Sequence, residues 1–227
     1  MPSVVVHPIP EVDDQQDKDI AAAYERLKSL GAVVKEVKLT SLDGLNVDGM
    51  SQIQRVMDSQ FRKAIDSYLS KLQDSKVHNL DELMQFMRDN AEQEMPPISP
   101  NMKRLESAAT FSLSDEGYQE ALADMRDFGR RRLVDKCLEE YKVDVILGPG
   151  DSRIHELYAT AGYPMTVMPL SYATFNGRPI GVCAIAQANR EDLLVQLMSA
   201  WEKSFNTKRQ LPTWIGGDPK LGPKSGM

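Results

Sequence analysis

The pattern of apolar and polar residues at the start of the chain predicts a strand, a helix and a second strand. The β-branched residues Val4–Val6 lie between two prolines and form the first strand. An acidic segment then leads into a helix with apolar residues at helical spacing, and Gly31 lies where such a helix ends. Residues 32–39 follow directly as a strand. A helix joined closely to a strand is typical of α/β sheets.

Residues 48–90 have the apolar period of two helices. The first helix should bury one continuous apolar face, formed by Ile53, Met57, Phe61, Ala64, Ile65, Tyr68 and Leu72. The second should begin near Asn79, where Glu82 three residues later gives a capping-box arrangement. Three prolines within residues 94–100 then interrupt the pattern. The interruption marks either a domain boundary or part of a helical excursion, over about residues 48–110, within one domain.

A long amphipathic helix should follow, with Ser114 as its N-terminal cap. Its apolar stripe consists of Tyr118, Leu122, Met125, Leu133, Cys137 and Tyr141, with Gly129 as a point of close packing. The run Arg130, Arg131 and Arg132 could suggest an anion site. We favour a solvated helix face, because long cationic side chains usually lie along such a surface.

The next part of the chain has the pattern of a sheet that ends in a hairpin. Residues 143–148 are continuously apolar, as in a strand that is buried on both faces. Residues 166–174 and 179–186 form a hairpin across Asn176 and Gly177, which are a favourable pair for a type I′ turn.

A closing helix over about residues 190–206 should bury Leu193, Leu194, Leu197, Met198, Trp201 and Phe205. We therefore predict an α/β fold with a mixed sheet flanked by helices on both faces, in a single domain over residues 1–210. Residues 211–227 are rich in proline and glycine and are predicted to form a flexible tail.

Composition and charge exclude several classes of function. The 227 residues are 41% hydrophobic and 26% charged, as in ordinary soluble proteins. The formal net charge is -6 and the basic residues are scattered, so we expect no nucleic-acid partner. No apolar run reaches the roughly 18 residues of a membrane span, and the N-terminal residues lack the features of a signal peptide. We therefore expect a cytoplasmic protein without membrane contact.

The cysteines and histidines predict neither a disulfide framework nor a metal centre. Cys137 and Cys183 lie in apolar contexts and lack the spacing of metal ligands. His7, His78 and His155 are far apart in the sequence, and none has a second ligand at helical or hairpin spacing.

Candidate chemistry is concentrated in the segment LGPGDSRIH, which follows the buried strand. This is where α/β sheets usually place ligand-binding groups, and the segment offers Asp151, Ser152, Arg153 and His155. It has no lysine, so it does not form a phosphate-binding loop. Ser152 and His155 could form a nucleophile and base, but no carboxylate partner can be assigned to them. Ser152 is better interpreted as a helix cap or as part of a pocket wall.

The order of these C-terminal features resembles the C-terminal half of the amidase signature family, particularly the fungal amidases. The pattern is carried by a buried strand that ends in a proline loop, an Ala-Gly-x-Pro turn, a Val-x-Pro strand, and a Gly-x-Pro turn into a glycine-containing strand. The matching positions are Pro149, Ala161, Gly162, Pro164, Val167, Pro169, Gly177, Pro179 and Gly181. The resemblance extends over about residues 20–214.

The resemblance implies the fold of an amide-bond hydrolase without a metal or organic cofactor. In this family a serine nucleophile, a cis serine and a lysine base lie in the N-terminal half, with a Gly-Gly-Ser-Ser-Gly type segment. The present sequence contains no such segment, so no catalytic residue can be transferred to it. We therefore expect a truncated or split, non-catalytic amidase half. Its candidate substrate-pocket residues are Asp151, Ser152, His155 and Tyr163.

The resemblance to half of an amidase also implies that the chain has a binding partner. The buried strand within residues 143–147 should retain an unpaired edge or an uncovered face, which favours a homo-oligomer or docking of a separate N-terminal half. A small amide-like ligand is a further possible partner. Two alternatives remain open: a module that binds a small molecule or protein on an amidase-derived fold, and a repurposed metabolic enzyme with a new site near residues 149–163.

Overall fold

The computed structural model describes residues 4–6, 14–37, 39, 45–97, 100–174 and 177–205. By its internal contacts the chain divides into two units. The first unit comprises Met1–Val37, Tyr141–His155 and Pro164–Met227, and the second comprises Lys38–Glu140 and Glu156–Tyr163.

A five-stranded mixed sheet forms the centre of the first unit. The strands are β1 Val4–Val6, β2 Val34–Glu36, β5 Val145–Pro149, β6 Met165–Tyr172 and β7 Pro179–Ile185. Their order is β2-β1-β5-β7-β6. Strand β1 runs parallel to β2 and β5, whereas β7 runs antiparallel to β5 and β6. The predicted mixed sheet with a C-terminal hairpin is thus confirmed.

Helices α1 Asp14–Ser29 and α9 Glu191–Ser204 pack on this sheet through one hydrophobic cluster. The cluster joins alternate residues of the strands to the apolar faces of both helices. Trp201 is its largest fully buried side chain, and its indole N–H donates to Pro169 O at 2.8 Å. The closing helix therefore buries the face that its sequence predicts.

Strand β5 is central in the sheet, and the expectation of an unpaired edge or uncovered face for it is wrong. It pairs with β1 on one side and with β7 on the other, and all five of its residues are buried. The physical reason is that the hairpin folds back antiparallel onto β5 and takes the position next to it. Among the described strands, the sheet edges are β2 and β6.

Several predicted boundaries shift or fall outside the described residues. Helix α1 ends at Ser29, close to Gly31 with φ +92, but the strand after it is shorter than residues 32–39. The hairpin position Asn176 lies outside the described residues, whereas Gly177 has φ +72. His7 and the predicted tail over residues 211–227 also lie outside them.

The second unit is mainly helical. Its elements are the short pair β3 Asn46–Val47 and β4 Met50–Ser51, then α2 Gln52–Leu69, α3 Leu80–Asp89, α4 Ala91–Glu94, α5 Lys103–Thr110 and α6 Asp115–Asp127. A π-helical segment, Phe128–Val134, leads into α7 Asp135–Tyr141, and α8 Ile154–Ala161 joins the second unit to the first along the chain. The predicted caps are confirmed, since Asn79 accepts from the Glu82 backbone N–H and Ser114 from that of Gly117.

The predicted buried face of α2 is confirmed only in part, because Ile53, Phe61 and Ile65 are partly buried in hydrophobic clusters whereas other residues of that face are exposed. Met57 is 63% exposed, Tyr68 is 60% exposed and Leu72 is 39% exposed. The helix instead buries Val56 and Leu69 on another side. The reason is tertiary, because Val56 forms a cluster with residues of α6 and this contact sets the rotation of α2 about its axis.

Candidate functional site

The β5–α8 loop, residues 150–153, is folded tightly against strand β7. The Gly150 N–H donates to Gly181 O at 2.8 Å. A Cβ atom on Gly150 would lie 3.0 Å from that same oxygen, so the close approach needs glycine at this position. A Cβ on Gly148 would lie 2.8 Å from Ile154 Cδ1. Glycines on either side of Pro149 thus allow the loop to lie close to the sheet.

Ser152 is buried, and its hydroxyl bonds to backbone groups of the residues that flank its loop. The hydroxyl donates to Pro149 O at 2.7 Å and accepts from the Ile154 N–H at 3.2 Å. The second bond satisfies one of the free N–H groups at the start of α8, as a helix cap does. Of the roles considered for Ser152, the structure therefore shows the cap geometry.

His155 and Asp151 lie in the same loop region but do not complete a nucleophilic pair with Ser152. The His155 Nδ1 lies 2.6 Å from Ser152 O, and because a carbonyl only accepts, this nitrogen carries the proton. Asp151 forms an ion pair with Arg178 at 2.7 Å, with both side chains about half exposed. Burial, and to a lesser extent Asp151, raises the pKa of the nearby Cys183 thiol. A thiol with a raised pKa is a poor nucleophile at neutral pH.

Tyr163 belongs to the second unit and has a close partner there. Its hydroxyl donates to the two carboxylate oxygens of Asp135 at 2.9 and 3.0 Å. The Arg130 guanidinium lies 5.7 Å from the centre of its ring. Burial, with a further contribution from Asp135, raises the pKa of Tyr163 to about 12. The loop thus brings Asp151, Ser152 and His155 together, whereas Tyr163 lies in the network of α7.

Two arginines bind the C-terminal end of helix α8. Arg126 donates to the carbonyls of Ala159 and Thr160, the second at 3.1 Å, and Arg130 donates to Ala161 O at 2.9 Å. Guanidinium groups here satisfy the free carbonyls and oppose the negative end of the helix dipole. Burial and the neighbouring Arg130 lower the pKa of Arg126. The cluster holds the end of α8 in place.

The predicted solvated face is confirmed for Arg130, Arg131 and Arg132, which are all exposed, although Arg130 also binds the end of α8. Its partners on α8 are distant in sequence and could not be found from the helical pattern alone. Arg131 forms an exposed ion pair with Asp127 at 2.9 Å, and Arg132 lies over Phe128. Arg126 and Asp135 were not among the predicted site residues. The available signal was Gly129, where a Cβ would lie 2.5 Å from the α8 backbone.

An open groove of about 510 Å³ runs along α6 and the π-helical segment, lined by residues that include Gln119, Leu122, Arg126, Arg130 and Asp135. Its lining mixes cationic and anionic side chains.

Across the described part of the chain, no cluster of three or more histidine, cysteine, aspartate or glutamate residues is suited to a metal ion. His78 lies 3.0 Å from Glu82 at the start of α3. None of the helices described is long and apolar enough to cross a membrane.

The chain is similar over most of its length to proteins assigned as amidases. No family model matches it. A Schizosaccharomyces pombe protein assigned as an amidase is 26% identical over 220 residues, which cover 86% of this chain and 37% of that protein. An Arabidopsis thaliana protein assigned likewise is 27% identical over 146 residues, 64% of this chain and 28% of that one. A glutamyl-tRNA(Gln) amidotransferase subunit of Streptococcus mutans is 27% identical over 91% of this chain and 44% of its own length.

Solved structures give the same result for the fold. The peptide amidase of Stenotrophomonas maltophilia has a TM-score of 0.72 at 21% identity, covering 92% of this chain and 44% of that enzyme. An amidase family protein of Bacillus anthracis has the same TM-score at 16% identity, covering 92% of this chain and 40% of its own. The resemblance to the amidases is confirmed. The chain spans about 28–44% of the length of these amidase relatives and neighbours.

Proposed function

We propose that this chain forms the sheet and one substrate-pocket wall of an amide-bond hydrolase, and that residues 1–227 alone do not hydrolyse amides. The observation that carries the proposal is the extent of the match. Similarity to an S. pombe amidase relative covers 86% of this chain but 37% of the relative. The 227 residues contain the β5–α8 loop and the hairpin but no Gly-Gly-Ser-Ser-Gly run.

The absence of independent catalysis follows from the chemistry of the family. Its serine nucleophile and oxyanion donors depend on a Gly-Gly-Ser-Ser-Gly type segment, and the 227 residues contain no such run. Loss of one oxyanion donor alone raises a barrier by about 2.7–4 kcal/mol. Loss of the nucleophile, base and donors together leaves no mechanism for acyl transfer.

Within this proposal, the β5–α8 loop contributes polar groups to the pocket wall. Ser152 holds the start of α8 through its cap and is a structural residue. Asp151 of this loop and His155 in the first turn of α8 are the side chains that would meet a ligand.

The repurposed-enzyme alternative needs Ser152 as nucleophile, and the observed bonds do not favour it. The Ser152 hydroxyl donates to Pro149 O, while His155 faces the Ser152 carbonyl oxygen. A general base has to reach the hydroxyl proton that it removes. Neither contact prepares the serine for attack on an amide.

Hydrolysis of an aryl amide by the purified 227-residue chain tests the proposal. We expect release of the aryl amine at the buffer rate for the wild type and for Ser152→Ala alike. A cooperative unfolding transition in the same samples serves as the control that the protein is folded. Turnover that disappears in Ser152→Ala would support the repurposed enzyme, and turnover that survives in Ser152→Ala would reveal another site. Either result would overturn the proposal.

A further inference from the structure

The π-helical segment after α6 brings charged side chains together along the open groove. The Asp135 N–H donates to Arg130 O, five residues earlier, as in a π-helix. This wider turn places residues four and five positions apart on the same side of the helix. Arg130 follows Arg126 by four residues and precedes Asp135 by five, and all three line the groove of about 510 Å³. Because π-helical turns occur often at functional sites, this groove is a candidate for ligand binding.

The positive charges in the groove differ in their partners. Arg131 forms an ion pair with Asp127 at 2.9 Å. Among the described residues, Arg126 and Arg130 hydrogen-bond only to neutral backbone carbonyls. Burial lowers the pKa of Arg126, and the neighbouring Arg130 lowers it further, because two like charges lie close together. An anion bound to both guanidinium groups would offset this repulsion.

Both guanidinium groups keep N–H donors for such an anion. A guanidinium carries five donors in a planar fork. In the hydrogen bonds that the structure describes, Arg126 donates only through Nη1 and Arg130 only through Nε. These bonds to the end of α8 also hold the two side chains in place, so a ligand has less side-chain motion to restrict.

We propose that Arg126 and Arg130 bind the carboxylate of a small organic acid in this groove. A carboxylate is planar and accepts two parallel hydrogen bonds from a guanidinium fork. The lining contains three arginines and two aspartates, a net charge of +1 that one carboxylate neutralises and a phosphate dianion exceeds. Leu122 and Ala123 offer an apolar surface to the rest of the acid.

The site lies within the second unit and does not depend on the proposed role in amide hydrolysis. Benzoate tests it, with benzamide as a neutral molecule of similar shape. The NMR signals of the arginine Nε–Hε groups in the full 227-residue chain report binding. We expect benzoate to shift the signals of Arg126 and Arg130, with saturation in the millimolar range and weaker binding at higher salt.

Benzamide should leave these signals unchanged, because it carries no charge. Equal shifts from benzoate and benzamide, or an absence of saturable benzoate binding, would overturn the proposal. Tighter binding of inorganic phosphate than of benzoate would overturn the assignment to a carboxylate.

Two substitutions in the arginine run separate the site from a general effect of charge. Arg130→Gln should weaken benzoate binding about tenfold or more, because it removes hydrogen bonds between charged groups. Arg132→Gln is the matched control, since it removes the same charge while Arg132 lies over Phe128 and not in the groove lining. It should change the affinity by less than about twofold. Equal weakening in the two variants would contradict the proposed site.

A third variant covers the case in which Arg130→Gln loosens the end of α8. Asp127→Asn keeps Arg126 and Arg130, removes a negative charge from the groove and releases Arg131 from its ion pair. We expect benzoate to bind about two- to fivefold more tightly. Since a loss of structure does not produce tighter binding, an unchanged or lower affinity in Asp127→Asn would refute the proposal.

Discussion

Strand β5 and helix α2 have equally clear apolar patterns, but only β5 buries all the residues that its pattern assigns to the core. Val145, Ile146 and Leu147 of β5 are fully buried, whereas Met57 and Tyr68 of α2 are mostly exposed. A central strand has neighbours on both sides and needs only a continuous apolar run. A surface helix has one buried side, and its partners decide which side that is. The apolar period is thus a local property, whereas the helix rotation is a tertiary one.

The contrast between β5 and α2 is tested most strongly by truncating one side chain in each of them. Leu147→Ala should lower the free energy of unfolding by about 2–5 kcal/mol, because it leaves a cavity in a close-packed core. Met57→Ala, at a position that is 63% exposed, should change it by less than about 0.5 kcal/mol. Urea titration followed by tryptophan fluorescence measures both. Similar losses from the two substitutions would show that Met57 packs in the core.

A smaller effect is expected at the packing of the π-helical segment against α8. Gly129→Ala places a Cβ 2.5 Å from Ala161 N and 2.6 Å from Thr160 C, both backbone atoms. Since neither backbone atom can turn away, we expect a loss of about 2–3 kcal/mol, typical of overpacking.

Gly117→Ala in α6 is the matched control for Gly129. Its Cβ would meet two side-chain atoms and no backbone atom, Ser114 Oγ at 3.2 Å and Leu113 Cβ at 3.9 Å. The better helix propensity of alanine should therefore leave stability unchanged or raise it by up to about 1 kcal/mol. Thermal unfolding of both variants separates the two cases, and equal shifts would contradict the close contact at Gly129.

The smallest effect is expected at the hydroxyl of Tyr163. Tyr163→Phe removes the hydrogen bond to Asp135 but keeps the ring, so we expect a loss of about 1–1.5 kcal/mol at neutral pH. The pKa of Tyr163 is raised to about 12, above the value of about 10 in an unfolded chain. The folded state therefore holds the proton more tightly, and this contribution is complete below pH ~10 and is lost as the pH rises through about 12.

Urea titrations at pH 7 and above pH 10 measure this dependence. Wild-type stability should fall with rising pH, and Tyr163→Phe should fall less steeply. Tyr24 provides an internal comparison, since burial also raises its pKa and its contribution persists in the variant. An unchanged slope in Tyr163→Phe would contradict the observed pairing with Asp135.

Much of the fold could be predicted from sequence because its signals are local. The caps at Asn79 and Ser114, the buried run of β5 and the apolar face of α9 depend on residues a few positions apart. The position of β5 within the sheet could not be predicted in the same way. The centrality of β5 depends on β1 and β7, which come from distant parts of the chain.

The location of the candidate site could be predicted from the sequence, but the roles of its residues could not. A loop after a buried strand is a usual ligand position, and this led to Asp151, Ser152 and His155. The role of Ser152 depends on which way its hydroxyl bonds, and the residue type does not reveal this. The network of Arg126, Asp135 and Tyr163 joins residues 28 or more positions apart, beyond the reach of helical spacing.

The most direct test of the central claim is the intact mass of the folded chain after incubation with a serine-directed fluorophosphonate. An activated serine attacks phosphorus and releases fluoride, so the reagent detects a nucleophilic serine without knowledge of the substrate. We predict no adduct on the 227-residue chain, because the Ser152 hydroxyl is bound to Pro149 O and to the Ile154 N–H. A single adduct that maps to Ser152, and is lost on unfolding, would contradict the account.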